Sequence, residues 1–593
     1  MSEKNSLNNK IITKLFFRLL PVQILLVAIS GINSIIDGAI AGKYIGVIAL
    51  TVIGLYYPML KVIDAVNALL TGGSQILCGQ FLGKNETEKT RMVFSLDIAI
   101  TFCFSLLFCG AMLFISKGLA TLLGAENETV TELSNYLRGL SFGILAQVLS
   151  AQFSVFLQLE RQEKRTYIGI GAMMISNLTL NLVFINVLDM GLFGLGLSTS
   201  LSNWLFCIIQ MSYYFTKKAI IRFDFKLIRI HYLKDIFRIG IPSALGQFYQ
   251  TIRGLFINYI LLRYIGDDGL AAYSAVGAFS CVFFAVAAGV ASATRLLASV
   301  YIGEEDRDGI YRIMHTVVTK GILLVTAVTL VFMCLHVPIT RIFYADTASN
   351  VYRLAKQIFF IFPISMIFSC FTCSFINYYQ CFERMKIVNI LSFIDGTVGM
   401  VVCSFILTPF MGAMGVWISQ ILNGVITCLS ILIYTVIVNK KFPTGLNDFL
   451  LIPDSFGVPD ENRLNISIGS VDGVLNTSQK VIDFCKLHSI DKKHAFYSGL
   501  CIEEMAGNII KHGFKTTDGK SKNSVDICVV YKDGGILMRL KDNCSPFNPK
   551  EREAIFKPGD DVTSNIGIRM IERISKRMEY QFVLGLNVLS VWI

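Results

Sequence analysis

The stretch PVQILLVAISGINSIIDGAIAGKYIG, residues 21–46, has a second version further along, PSALGQFYQTIRGLFINYILLRYIG, residues 242–266. Both start on a proline near the beginning of an apolar run, and both end in Tyr-Ile-Gly before the next run. Tyr44 and Tyr264 lie 220 residues apart, and so do Gly83 in GQFLGKNETEKTRMV and Gly303 in SVYIGEEDRDGIYRIM. Further on, LERQEKR (159–165) has a counterpart in CFERMKI (381–387), and LFGLGLS (192–198) in PFMGAMGVW (409–417). Shared composition does not place Pro, Tyr-Ile-Gly and Gly at matched positions, so the ordered set indicates two homologous six-helix halves. Equivalent points separated by an even number of spans share one orientation. That is the parallel kind of repeat, related by an axis along the membrane normal, with a substrate path between the halves.

The bulk composition agrees with a membrane protein. Of 593 residues, 53% are hydrophobic and only 16% charged, and the mean hydropathy is +0.59, far above that of an average soluble chain. Apolar runs of roughly 20 residues, enough to cross a bilayer as helix, recur from residue 15 to residue 438 and then stop. No basic stretch, short apolar core and small-residue cleavage pattern precedes them, so the first span is expected to insert and stay. The net charge of +11 does not indicate nucleic acid, because the Lys and Arg gather in alternate loops: 83–91, 160–165, 217–235 and 383–386. By the positive-inside rule the N-terminus, those loops and the tail from Lys440 onward are cytoplasmic, which requires an even number of spans, about twelve. The 15 cysteines lie mostly inside apolar runs. The Cys370/Cys373 CxxC sits in an apolar helix without a second pair, a packing arrangement and not a metal or redox one.

A Pro-led first span with an acid late in it, an Ile-Gly ending, a Gly-plus-charge loop after the second span and the six-plus-six repeat together resemble the MATE family of multidrug and toxin exporters. The resemblance covers residues 10–440. Intramembrane ionisable groups are costly and mark function by default, and Asp37 in SIIDGAIAGKYIG stands out. In MATE proteins an Asp at the matching place is implied in binding the coupling proton or sodium ion, and loading or unloading it would bias two access states. The bland alternative is an interface carboxylate paired with Lys43. Asn177 and Asn181, four apart on one helix face, resemble the fifth-span polar pair of the family, although an amide at 181 cannot titrate where some members have an acid. Helix-to-helix hydrogen bonding is the other reading of that pair. In the second half Asp395 in LSFIDGTVG takes approximately the place of Asn177, while Gln247, Gln250, Arg253 and Asn258, with Asn377, Tyr378 and Gln380, are candidates to line the cavity. The coupling ion, H+ or Na+, stays open.

After residue 438 the pattern is that of a soluble domain. Pro443, Pro453, Gly457 and Pro459 punctuate a linker, 439–461, and about 130 residues follow, enough for one compact domain. Strand-like pieces RLNISIGS, SVDICVVYKD, GILMRLKDN and YQFVLGLNVLSVWI alternate apolar residues, with helical pieces between them. The expectation is an α+β sandwich. On the helix KKHAFYSGLCIEEMAGNIIKHGF, residues Glu504, Asn508 and His512 line one stripe by i, i+4 spacing. Glu-x3-Asn-x3-His, then Asp542 in LKDNCSPFNP, then Gly567 leading a helix, resembles the Bergerat (GHKL, histidine-kinase-like) ATP-binding fold and, more narrowly, the serine-kinase branch known from bacterial anti-sigma factors. The resemblance implies ATP with Mg²⁺ as ligand, with Asn508 on the metal and Glu504 as the base drawing a proton from a serine hydroxyl or water. Asp542 would accept from the adenine amine, and Gly567 would let a helix N-terminus approach phosphate. The family's Asp-x-Gly reads Asp542-Asn543-Cys544 here, and its glycine-rich stretch is reduced to SNIG (564–567).

The chain divides as 1–14, a cytoplasmic N-terminus; 15–216, the first half; 217–235, a basic linker; 236–438, the second half; 439–461; and 462–593, the ATP-binding domain. The function expected is a proton- or sodium-coupled exporter of organic or cationic compounds in a bacterial cell membrane, in contact with lipid, with an ATP-binding tail that regulates it or signals its state. No G-x-x-x-x-G-K-[ST] phosphate loop is present to drive transport by ATP. Two alternatives stand beside it: a membrane-anchored sensor kinase with a protein phospho-acceptor, and a lipid-linked sugar flippase, against which the scarcity of Lys and Arg in the spans weighs.

Overall fold

The computed structural model describes residues 4–216, 219–514, 523–532, 534–548 and 566–593. Ser564 and Asn565 of SNIG lie outside the described residues. Among the described residues, twelve long helices form the bundle. The first half holds α1 (Lys4–Tyr44), α2 (Val47–Gly83), α3 (Thr87–Phe114), α4 (Glu128–Leu159), α5 (Glu163–Val187) and α6 (Gly191–Met211). The second holds α7 (Tyr232–Tyr264), α8 (Asp267–Gly303), α9 (Arg307–Cys334), α10 (Asn350–Cys381), α11 (Met385–Met411) and α12 (Ala413–Asn439). Among the described residues, 11 helices are long and apolar enough to cross a membrane, which makes this a multi-pass membrane protein. The count is one short of the expected twelve because α7, though 33 residues long, carries Arg238, Gln247, Gln250 and Arg253 along its length. Pro21 and Pro242 sit inside α1 and α7, not at their starts.

The halves meet along α2 and α8, and the contacts there pair residues 220 apart. Arg295 Nε donates to Gln75 Oε1 at 2.8 Å. A Cβ on Gly79 would strike the Ser299 side chain, and one on Gly83 would lie 2.8 Å from the Gly303 carbonyl carbon. Contact between a residue and its own repeat partner occurs only where both approach the symmetry axis. The ends of α2 and α8 that lead to the charged loops therefore cross on that axis, and glycine permits the close approach.

The tail is a five-stranded antiparallel sheet, β1 (Arg463–Ile468), β2 (Val525–Lys532), β3 (Gly535–Asp542), β4 (Arg577–Val583) and β5 (Leu586–Trp592), in the order β1-β2-β3-β5-β4. The piece YQFVLGLNVLSVWI is thus not one strand but most of a hairpin, turned at Leu584 and Gly585, both with positive φ (54° and 77°). Strand side chains alternate faces. Ile527, Val529, Met538, Leu540, Leu589 and Val591 form one apolar core with α13 (Asp472–Leu487), α14 (Lys492–Asn508) and α15 (Ile566–Ile574).

The opposite face of the sheet lies on the loop ends of the bundle. Lys541 pairs with Glu304 and Arg463 with Asp306, and Lys532 Nζ reaches Glu305 at 3.0 Å. Burial works to raise the Asp306 carboxyl, but the Arg463 and Lys541 charges overcome it and hold the group well below the usual carboxylate range. The linker is fixed to the second half: Arg307 Nε donates to the Phe456 carbonyl at 2.6 Å, and the Tyr379 hydroxyl to that of Phe449 at 2.9 Å.

Candidate functional site

Two helices of the first half, α1 and α5, bring Asp37, Asn177 and Asn181 together. Asn181 Nδ2 donates to Asp37 Oδ1 at 2.7 Å and to Asn177 Oδ1 at 3.2 Å. From α6, Thr199 Oγ1 donates to Asp37 Oδ2 at 3.2 Å, Asn177 Nδ2 lies 3.4 Å from the same hydroxyl, and Ser198 donates to Asn181 Oδ1. Asp37 is 7% exposed and Asn181 fully buried. The interface pairing with Lys43 is not what the structure shows, since that ammonium stands over the Tyr44 ring, 5.1 Å from its centroid. The helix carrying the two amides widens into a π turn over Val183–Val187 just beyond them, a departure common at functional sites.

This arrangement tolerates both states of the Asp37 carboxyl. As a carboxylate it accepts from one amide and one hydroxyl, both neutral. On taking a proton at Oδ2 it becomes a donor to Thr199 Oγ1, whose own hydrogen turns to the Leu195 carbonyl, already 3.1 Å away. A single hydroxyl rotation re-satisfies the site, so neither state leaves a buried polar group unpaired.

The second half is built differently. Asp395 lies in a π turn, Ile394–Val398, and is half-buried. Asn423 Nδ2 reaches its Oδ1 at 3.3 Å and its carbonyl at 3.0 Å, and Arg253 Nη1 reaches the same carbonyl at 3.4 Å. A guanidinium therefore accompanies this acid where the first half offers amides. Gln250 is exposed on α7 and outside these bonds. Two of the cavity candidates are corrected. Tyr378 is fully buried and its hydroxyl ties to the Leu450 carbonyl at 2.9 Å, while Gln380 bridges to the Ile239 carbonyl at 2.7 Å and Ser243 at 2.9 Å. Both are helix ties, not cavity walls.

Sequence reading passed over Asp97. It is fully buried in α3, its Oδ1 takes the Ser74 hydroxyl at 2.6 Å, and its Oδ2 has no hydrogen-bond partner among the described residues. The rule that found Asp37, a lone acid in a long apolar run, would have found it in VFSLDIAITF. The repeat would equally have pointed to Arg295, the partner of Gln75. Lys61 and Asp64, 3.2 Å apart on α2, were likewise overlooked.

In the tail, α14 carries Glu504 and Asn508 one turn apart and passes into a π turn, Ile509–Gly513, that holds His512, which is exposed. The Glu504 carboxylate occupies the space a Cβ on Gly567 would need, so this acid and the helix-leading glycine are brought together. Asp542 ends β3 and is 3% exposed. Its Oδ1 accepts from Asn587 Nδ2 at 2.7 Å and from the Cys544 amide at 2.9 Å. Burial pushes its carboxyl up, and those two bonds oppose the rise. Cys544 is buried with its Sγ 3.1 Å from the point a Gly513 Cβ would take. The sulfur is tucked against α14 in room that Gly513 provides. The end of β3 thus holds Asp542, Asn587 and Cys544 in one buried hydrogen-bonded cluster, with the cysteine sulfur turned inward.

A family profile described as MatE matches residues 23–187 and again residues 242–406. The Multidrug export protein MepA of Staphylococcus aureus (strain bovine RF122 / ET3-1) is 27% identical over 256 residues, which is 40% of this chain and 54% of that protein. The MepA of Staphylococcus saprophyticus is 26% identical over 258 residues, 41% of this chain and 55% of that protein. The chain thus spans about half the length of the curated relatives it matches. An outward-facing multidrug resistance MATE family transporter of the MOP superfamily superposes with a TM-score of 0.66 at 20% identity, over 70% of this chain and 94% of that one. A MOP superfamily transporter from Pyrococcus furiosus, described as having a binding pocket of reversed polarity, gives 0.64 at 19% identity, over 70% and 94%. At such identities the likeness is one of fold.

Proposed function

The chain belongs to the MatE family, and from that premise we propose that it is a secondary active exporter of small organic cations, exchanging them for H+ or Na+. The observation that carries this reading is the Asp37 network: a buried acid with neutral partners that stay satisfied in either protonation state. The halves alternate access about the α2–α8 crossing, and Asp37 takes up and releases the coupling ion. Asn177, Asn181 and Thr199 hold its carboxyl in place. Asp395, beside Arg253, is a second polar point on the substrate path, with Gln250 on the exposed side of α7. Relatives named as multidrug exporters support the substrate class. The N-terminus and tail face the cytoplasm, on the loop-charge argument.

The tail binds Mg-ATP in this reading and regulates the bundle. Asn508 contributes an oxygen to the cation, Asp542 accepts from the adenine amine, and Glu504 is positioned to hold a proton near Gly567. The bound cation supplies charge neutralisation at the phosphates.

The test is uptake of a fluorescent organic cation into inverted vesicles under an imposed proton or sodium gradient, with and without Mg-ATP. Gradient-driven uptake lost in Asp37→Asn, and an ATP effect lost in Asn508→Ala, are the expected results. No uptake of several dyes under either gradient, alongside phosphorylation of a serine-containing partner, would overturn the exporter in favour of a sensor kinase.

A further inference from the structure

We propose that the tail domain is a clamp that holds the two halves together at their loop ends, and that the β4–β5 hairpin tip is the side of it that releases. The sheet touches both halves. Its hold on the second half is ionic, through Lys541, Arg463 and Lys532 on the α8–α9 loop, and is reinforced by the linker fixed at Arg307 and Tyr379. Its hold on the first half is different in kind. The Leu584 amide donates to the Leu159 carbonyl at 2.8 Å, and Arg18 donates back to the Leu584 carbonyl. Gln581 Nε2 reaches Thr87 Oγ1 at 3.0 Å, and Asn85 Nδ2 reaches Ser590 Oγ at 3.1 Å. Leu584 is buried and belongs to the bundle's apolar core, not to the tail's. The first-half contact is thus a plugged hairpin tip with a few hydrogen bonds and, among the described residues, no ion pair between acid and base.

Alternating access, which the clamp takes from the exporter reading, requires the α2 and α8 ends to part. The Gly83/Gly303 contact adjoins both anchorages of the sheet, Asn85 two residues beyond Gly83 and Glu304 next to Gly303. A hydrogen-bonded sheet does not stretch, so one anchorage must let go before the ends separate. The first-half side, held by an apolar plug and hydrogen bonds without a carboxylate partner for Arg18 on the sheet among the described residues, lets go first while the linker and ion pairs keep the domain on the second half.

A native cysteine reports the opening. Cys381 is fully buried, and its carbonyl accepts from Gln80 of the first half at 3.0 Å. The full-length protein in nanodiscs is treated with a polar maleimide, and modification of Cys381 is followed by peptide mass spectrometry. Leu584→Ser should raise the Cys381 rate about tenfold by weakening the plug. A cysteine pair, Arg161→Cys with Gly585→Cys, spans the hairpin tip and the first half, where the Arg161 Cδ lies 2.5 Å from the point a Gly585 Cβ would take, and should lower the rate several-fold once oxidised, with recovery on reduction. Wild-type Cys381 rates in both variants overturn the clamp. If Leu584→Ser unfolds the tail, the cysteine pair decides alone, and an unchanged rate when oxidised overturns it. Labelling that responds as expected in a protein that moves no dye supports the clamp and removes the exporter reading.

Discussion

Asp306 sets the strength of the second-half anchorage, and its replacement has a calculable effect. The residue does two things. Its Oδ1 caps α9 by accepting from the Gly309 amide at 2.9 Å, and it neutralises Arg463, whose side chain is 6% exposed. Asn caps helices as well as Asp, so Asp306→Asn keeps the first role and removes the second. Breaking a buried pair from one side costs about 3–5 kcal/mol, because the remaining charge stays desolvated. With Asp306 itself 14% exposed, the lower end applies, about 3 kcal/mol, or roughly 100-fold in the population undocked. Cys528, on the bundle-facing side of β2 beside the Asp306–Lys541 cluster, supplies the assay: its maleimide rate, normalised to a free thiol, follows that population. Asp306→Asn should raise the rate roughly 100-fold, and Asp306→Ala about fivefold more through the lost cap, worth about 1 kcal/mol. Adding Arg463→Met to Asp306→Asn should recover most of the loss, since an apolar replacement of both partners is near neutral. The pH dependence has a fixed sign. A carboxyl held below its unfolded value of about 4 contributes stability that is fully present above that value and lost as pH falls through the folded one. The normalised rate should therefore be flat between pH 5 and 8 and rise only in acid. A change under threefold in Asp306→Asn, or a double variant as reactive as the single one, refutes the reasoning.

At the axis, Gly303→Val drives a side chain into the Gln80 backbone and should lower stability by about 1–3 kcal/mol, read as a drop in Tm in detergent, while Gly38→Ala, with open space around it, leaves Tm unchanged. Asp97→Asn keeps an acceptor for Ser74 and should cost under about 1 kcal/mol, whereas Asp97→Leu orphans that hydroxyl and costs about 1–3 kcal/mol; equal Tm values for the two variants would contradict the buried contact. In the tail, Gly567→Ala displaces the Glu504 carboxylate and should abolish ATP turnover with nucleotide binding retained, while Asn508→Ala should remove the Mg²⁺ dependence of binding, both measured by calorimetry and phosphate release.

Much of the bundle is legible because repeats leave marks that survive divergence: a proline, a Tyr-Ile-Gly ending and a glycine at Gly83 and Gly303 that the structure puts in contact with each other. The span count fell short at α7 because its arginines pair with groups of their own half, Arg238 with Glu383 and Arg253 with the Asp395 carbonyl, so protein neighbours and not lipid satisfy them. The Asp37–Asn177–Asn181 grouping was legible from helix spacing and resemblance. Its other members, Ser198 and Thr199, were not, since serine and threonine in spans commonly bond their own helix backbone and nothing local distinguishes those that also reach across. Tyr378 and Gln380 looked like cavity residues because a polar side chain in an apolar run has no visible partner in sequence. Their partners, the Leu450 and Ile239 carbonyls, are 72 and 141 residues away. The last hairpin was hidden for a related reason. Leu584 is apolar like its neighbours, so its turn interrupts no pattern, and its burial is in the bundle.

The sheet geometry joins the proposed nucleotide site to the crossing of the halves by a short path. Successive residues of a strand face opposite ways, so at the end of β3 Asp542 turns to the helix side, towards Asn587 and Cys544, while Lys541 turns to the bundle and Glu304. Glu304 follows Gly303, the glycine at the crossing of the halves. From the carboxyl proposed to hold adenine to the axis there are one peptide bond, one ion pair and one further peptide bond. A ligand that shifts the end of β3 therefore acts directly on the anchorage that holds the crossing shut. No flexible segment intervenes to absorb the displacement, because β3 is paired on both sides, by β2 and β5. The regulatory role proposed for the tail needs no distant relay, only that nucleotide and bundle pull on opposite faces of the same two residues.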